Sequence, residues 1–206
     1  MNFSRWGADG RHMTDFEQRC ATRVRERLVE LATTATRSAE VAPQVAQAAT
    51  LVRATLRGGG TVFLCGNGGS AADAQHIATE YVVRYMKKRR GLAAIALTTD
   101  TSLLTAAGND LGFDEVFARQ VEAVVRPGDL LIVHSTSGNS PNVIRAAEAA
   151  RAKGVRVVAF LARDGGRLLS LADVCVVVPT DRTDRAQELH MCLEHVICEA
   201  VEEDLA

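Results

Sequence analysis

From Thr61 onward, short apolar runs rich in β-branched residues, "TVFLC", "AAIALT", "DLLIVHS", "VRVVAFLA" and "VCVVV", alternate with longer segments whose apolar residues recur at helical spacing. Runs that are apolar at successive positions suit strands covered on both faces, and their alternation with helices predicts an α/β sandwich around a parallel sheet. The preceding stretch, "DFEQRCATRVRERLVELATTATRSAEVAPQVAQAATLVRATLRGGG", carries helical periodicity with a break at Pro43 and a stop at Gly58 to Gly60, so two helices are expected over about 14–57. The last segment, "DRAQELHMCLEHVICEAVEEDLA", predicts a long helix whose apolar side includes Leu189, Cys192, Leu193, Val196 and Ile197. With no internal repeat or low-complexity linker, 14–206 reads as a single domain, and the polar, glycine-containing 1–13 as a leader without a functional part.

Composition narrows the partners. A chain of 206 residues that is 47% hydrophobic can bury a substantial single core. Its formal net charge of -1 gives no bulk attraction for nucleic acid or an anionic membrane, so a small ligand is expected. No apolar run approaches the ~18 residues of a membrane span, and no early stretch has the layout of a secretory signal; the expectation is a cytoplasmic protein. Five cysteines, scattered and without CxxC spacing, suit reduced thiols used in packing.

In parallel sheets ligands sit beyond the carboxyl ends of the strands. After the first run comes "GNGGSAAD", which offers unobstructed backbone N–H groups, the Ser70 hydroxyl and a helix N-terminus, a setting for phosphate or an oxygen-rich substrate. The same glycines satisfy a loose dinucleotide fingerprint at Gly66, Gly68 and Ala71, but the acid expected about 20 residues further on is missing; the first one after the next strand, Asp100, lies too far along. A second loop, "HSTSGNSPNVIRAA", sets Ser135, Thr136, Ser137 and Ser140 around a glycine, with Ser140 or Asn139 suited to cap the next helix and Pro141 to its first turn. Helix capping alone explains one such hydroxyl; four within six residues read as a phosphate cradle.

Four stretches, "CGNGGSAADAQH", "AAGNDLGFDEVFARQ", "STSGNS" and "DRAQELHMCLEH", resemble in order and spacing the SIS-domain phosphoheptose (sedoheptulose 7-phosphate) isomerases, from about Gly60 to the C-terminus. The resemblance implies a five-stranded parallel SIS sheet flanked by helices, a homotetramer with active sites at subunit interfaces, and ketose-to-aldose isomerisation of a phosphorylated sugar. It places the phosphate loop on Ser135, Thr136, Ser137 and Ser140, and substrate contacts on Asn67, Gly68, Ser70, Asp110, Asp184 and Gln187. The acid/base pair falls on Glu80 and His195, and the zinc ligands of metal-binding members on His76, Glu80, Gln187 and His195. Two positions depart from the family pattern: Ala186 replaces a bulky aliphatic, and His134 precedes the serine loop where a small or apolar residue is commoner.

The residues support that chemistry independently. Moving a proton between C1 and C2 through an enediol needs a base over carbon and a donor for oxygen, roles that a carboxylate and an imidazole fill. Glu80 follows His76 by one helical turn, so both share a face of the helix that begins at the anion-binding turn. His195 stands eight residues after Gln187, which on an ideal helix separates them by about 80°; convergence requires long side chains, helix curvature or a partner subunit. A zinc-bound Glu80 has its lone pairs engaged and is the poorer base, whereas zinc itself can polarise a carbonyl, so metal and base roles compete. His134 and His190 read as packing or support behind the site, and "MKKRR" as a solvated face or subunit contact. The rival reading is a non-catalytic SIS protein that binds a sugar phosphate or a replication initiator; retention of both Glu80 and His195 argues for the enzyme.

Overall fold

The structure, a computed structural model, describes residues 13–205; most of the proposed leader lies outside the described residues. The chain falls into two compact units, one ending at Thr36 and one starting at Arg37. The first holds α1 (Asp15–Arg37), whose Phe16, Val24, Leu28 and Val29 are exposed and whose one buried residue is Thr34. Thr14 and Glu17 open it with reciprocal hydrogen bonds, a capping box.

The second unit begins with a 3-10 turn at Ser38–Val41, which makes the break expected near Pro43, and continues into α2 (Ala42–Arg57) with Pro43 in its first turn. There follow β1 (Val62–Cys65), α3 (Gly69–Val82), β2 (Ala94–Ala96), α4 (Thr101–Asp110), α5 (Ala118–Val124), β3 (Leu130–Ser135), α6 (Pro141–Ala152), β4 (Arg156–Ala162), β5 (Val174–Val178) and α7 (Thr183–Leu205). All five apolar runs form strands of one parallel sheet, in the order β2-β1-β3-β4-β5.

Period-two alternation divides the sheet residues between two cores. Val62, Leu64, Leu130, Ile132, Val158 and Phe160 pack toward α2, α3 and α7. Phe63, Cys65, Leu131, Val133, Val157 and Leu161 pack toward α4, α5 and α6. Because both faces are covered, the strands read as continuous apolar runs. Val45, Ala48, Val52 and Leu56 of α2 are buried in the first core, so this helix finds its apolar partner within the chain.

The apolar side assigned to α7 needs correction: Cys192 and Val196 are exposed. The buried face runs through Leu189, Ile197 and Val201 and, beside them, the four-residue ladder Ala186, His190, Glu194, Cys198 and Glu202. Three of those five are polar, which is why counting apolar residues turned the helix the wrong way. Of the cysteines, all free, Cys65 and Cys198 are buried as packing predicts, whereas Cys20 and Cys192 are exposed.

Candidate active site

With β1 and β3 adjacent, the chain leaves β1 toward one face and β3 toward the other, and a crevice opens between their carboxyl ends. The glycine turn and the serine loop therefore become neighbours. Their side chains are tied directly: Asn67 Nδ2 donates to Asn142 Oδ1 at 2.8 Å and Asn142 Nδ2 to Asn67 Oδ1 at 2.9 Å. Asn142, in the first turn of α6, was not singled out from sequence. Gly68 is the N-cap of α3 at φ +57°, a left-handed conformation that favours glycine, and Ser70 is buried in the first turn.

The serine loop is tightly wound. Gly138, at φ +64°, donates its N–H to Ser135 Oγ at 3.1 Å, and a Cβ there would lie 1.9 Å from the Gly165 carbonyl oxygen, so only glycine fits. Ser140 occupies the N-cap of α6 with Pro141 behind it, yet its hydroxyl makes no capping bond and meets Ser135 Oγ at 3.2 Å. Ser137 Oγ accepts from Asn139 N. These hydroxyls thus stand beside the α6 N-terminus without being used up as its cap, which favours the cradle over the capping explanation.

His76, Glu80 and His195 converge. His76 Nε2 lies 3.2 Å from Glu80 Oε1 and 3.1 Å from His195 Nε2, and ligand atoms of all three lie within 4.8 Å of one another. Helices α3 and α7 of the same chain supply them, so no partner subunit is needed to bring His195 to the other two. Two imidazole nitrogens and a carboxylate at these separations suit zinc: ligands at 2.0–2.1 Å around a tetrahedral ion stand about 3.3 Å apart. A single proton on His76 Nε2 would serve both neighbours poorly; a shared cation would serve both.

The remaining expected residues are spread out. The Gln187 amide lies against Gly69 at the start of α3, where a Cβ would come within 2.6 Å of it. Asp110 ends α4, exposed, accepting from Asn109. Asp184, in the first turn of α7, is bound by Arg182 through two hydrogen bonds that hold its carboxyl down at about 2. Neither carboxylate joins the three-residue group.

Comparison with known proteins decides the family. Residues 28–162 match the SIS domain. The phosphoheptose isomerase of Rhodospirillum rubrum is 52% identical over 169 residues, covering 82% of this chain and 90% of that protein, and that of Chlorobaculum parvum is 57% identical over 161 residues, 77% of each. The chain belongs to the phosphoheptose isomerase family. The structure of phosphoheptose isomerase GmhA from Neisseria gonorrhoeae superposes with a TM-score of 0.85 at 44% identity, covering 89% of this chain and 99% of that one.

Behind the three convergent side chains, this phosphoheptose isomerase family member holds a buried polar layer. His134 Nδ1 stands 3.2 Å from the Cys65 carbonyl and its Nε2 2.8 Å from Glu194 Oε1. Burial works against charge on that ring, but Glu194, with Asp73 and the Cys65 carbonyl, outweighs it and the His134 pKa is raised. Asp73, buried one turn before His76, has its carboxyl pushed up to about 6 by burial, with His134 pulling the other way. His190 donates from Nε2 to the Leu161 carbonyl at 2.9 Å, and burial drives its pKa down to about 3. Sequence reading assigned His134 and His190 to support but missed Asp73 and Glu194. The available signal was the placement of His190 and Glu194 on one four-residue ladder with Ala186 and Cys198.

Proposed function

We propose that this enzyme interconverts sedoheptulose 7-phosphate and D-glycero-D-manno-heptose 7-phosphate, a ketose-to-aldose isomerisation. The observation that carries the proposal is the convergence of His76, Glu80 and His195 on the side of a crevice whose other loop is a hydroxyl-lined helix N-terminus. The serine loop receives the phosphate, leaving the sugar's first two carbons to reach the carboxylate and imidazole. Glu80 takes the proton from C1 while His195 protonates the C2 oxygen, giving the enediol; Glu80 then returns a proton to C2 as His195 removes the one on the C1 hydroxyl. Asn67, Gly68, Ser70, Asp110, Asp184 and Gln187 are the proposed sugar contacts.

Zinc held by His76, Glu80 and His195, with Gln187 as the fourth expected donor, would supply a Lewis acid for the carbonyl oxygen. A homotetramer is proposed on the exposed apolar residues of α1. Among the described residues no helix is long and apolar enough to cross a membrane. A cytoplasmic location is part of the proposal.

Incubating the purified protein with C5 to C7 ketose phosphates in deuterated solvent tests the reading. Aldose formation and C–H exchange are expected with the C7 substrate; absence of both across the panel would leave the binding-protein alternative.

A further inference from the structure

We infer that Tyr85 is a positioning residue for the His195 imidazole, bolted in place by a buried Arg89–Glu202 pair; the inference rests on the role proposed above for His195. The Tyr85 ring stacks on the His195 ring with centroids 5.3 Å apart and planes 20° apart, while His76 meets the same imidazole edge-on at 5.2 Å. Offset stacking at this distance restrains ring orientation as well as burying area. His195 is thus restrained from two directions, and a swing about its χ angles would have to displace one of the two rings.

Tyr85 lies past the end of α3, where a loop side chain would ordinarily be free to move. Here the loop is fixed by one carboxylate. Glu202 of α7 accepts from Tyr85 N at 2.9 Å through Oε1 and from Met86 N and Lys87 N, each at 2.7 Å, through Oε2. Arg89 Nε approaches Glu202 Oε1 to 3.0 Å, and each side chain is only 2% exposed. The Arg89 guanidinium also donates to the carbonyls of Glu80 at 2.7 Å and Tyr81 at 2.9 Å, so the bolt holds the Glu80 turn of α3 as well as Tyr85. Within "MKKRR", expected to be a solvated face or subunit contact, Met86, Lys87, Lys88 and Arg90 are exposed, whereas the Arg89 side chain is the buried partner of Glu202. The backbone N–H groups on Glu202 and the carbonyls on Arg89 compensate the desolvation of the buried pair and fix its geometry.

Tyr85→Phe keeps the stacking ring and removes the hydroxyl; Tyr85→Leu and Tyr85→Met remove the ring, the flexible methionine guarding against a variant that fails to fold. Because a misplacement near 1 Å can cost about 100-fold, kcat is expected to fall roughly 10- to 100-fold in Leu and Met, with KM within about threefold, and to stay within about twofold in Phe. Independently of turnover, the His195 ring-proton resonances should carry an upfield ring-current shift in the wild type and Phe variant and lose it in Leu and Met. Wild-type kcat in the Leu and Met proteins, with the His195 resonances still at their wild-type positions, would overturn the inference. So would an equal loss in Phe, which would make the hydroxyl the operative group. If the wild type itself isomerises nothing, the catalytic reading fails in its own assay while the resonances still report whether Tyr85 sets the ring.

Discussion

Two histidines of α7, His190 and His195, stand five residues apart, which turns them about 140° from each other around the helix. His190 enters the core beside Phe160 and His134, gives its one ring N–H to the Leu161 carbonyl, and is fully buried. His195 emerges between Tyr85 and His76 with Glu80 in reach. The two residues are chemically identical; what separates them is whether the ring N–H is already given to a fixed acceptor, as that of His190 is to the Leu161 carbonyl. The buried ring is held uncharged and has no freedom to exchange a proton, whereas the partly exposed ring faces groups that need a proton or a cation between them. On the catalytic role proposed for His195, function on this helix follows from which side of the ladder a histidine occupies.

The largest expected effect breaks that comparison at its active end. Glu80→Gln and His195→Ala should each lower kcat by about 10²–10⁴ while the fold survives, since loss of an acid or base commonly costs that much. His190→Gln, which keeps an N–H for Leu161, should leave kcat within a few fold. Stopped assays with the C7 ketose phosphate, alongside circular dichroism, check both. Comparable losses at positions 190 and 195 would mean that the two sides are not distinct. Removing and restoring zinc in the same assay measures the metal's share: a reversible fall in turnover is expected if it polarises the carbonyl.

A smaller effect is expected at the other wall of the crevice. Ser137→Ala with Ser140→Ala removes two hydroxyls that lie beside the α6 N-terminus, and hydrogen bonds to a charged group are each worth about 1.5–3 kcal/mol. Affinity for a phosphorylated sugar should drop at least tenfold by calorimetry, with binding of the unphosphorylated sugar unaffected. Equal weakening for both sugars would move the phosphate elsewhere.

Much of this was legible because it rests on local chemistry. Five β-branched runs gave five strands, and glycine and serine clusters after "TVFLC" and "DLLIVHS" marked the two loops proposed to hold the ligand. Alternation of strands and helices does not encode strand order, so the adjacency of β1 and β3, which places those loops together, had to be observed. The pairing of His76 with Glu80 follows from one helical turn, whereas His195 arrives by the packing of α7 on α3, a long-range event with no local trace. Buried charge was the systematic miss: Glu194 and Glu202 are not singled out by the sequence and Arg89 only as part of a solvated face or subunit contact, because charged side chains are rarely inside unless paired and each pairing partner lies far away in sequence.

The smallest effect sharpens the comparison on its buried side and has a fixed sign. The His190 pKa is depressed, mainly by burial and also by the neighbouring His134 charge, to about 3, against about 6.5 in the unfolded chain. Between those values the unfolded chain holds a proton that the folded one does not, so unfolding becomes easier as pH falls. The stability His190 contributes is complete above about pH 6.5 and is lost progressively below it, by ~1.4 kcal/mol per pH unit for one proton. His134 has the opposite sign: its raised pKa makes the folded state hold the proton more tightly, adding stability that is present below about 6.5 and is lost as pH rises through the folded value. Most carboxylates contribute to any slope only below about pH 5, whereas Asp73, at about 6, titrates with His190 in the pH 5–6.5 window. Urea unfolding of wild type and His190→Gln across that window isolates the term, because His134 and the carboxylates are common to both and Gln does not titrate. The stability difference between the two proteins should change by roughly 1–2 kcal/mol over the window, the wild type losing more as pH falls. Parallel curves would mean that His190 takes up its proton in the folded protein as readily as in the unfolded chain, and that burial does not separate it from His195.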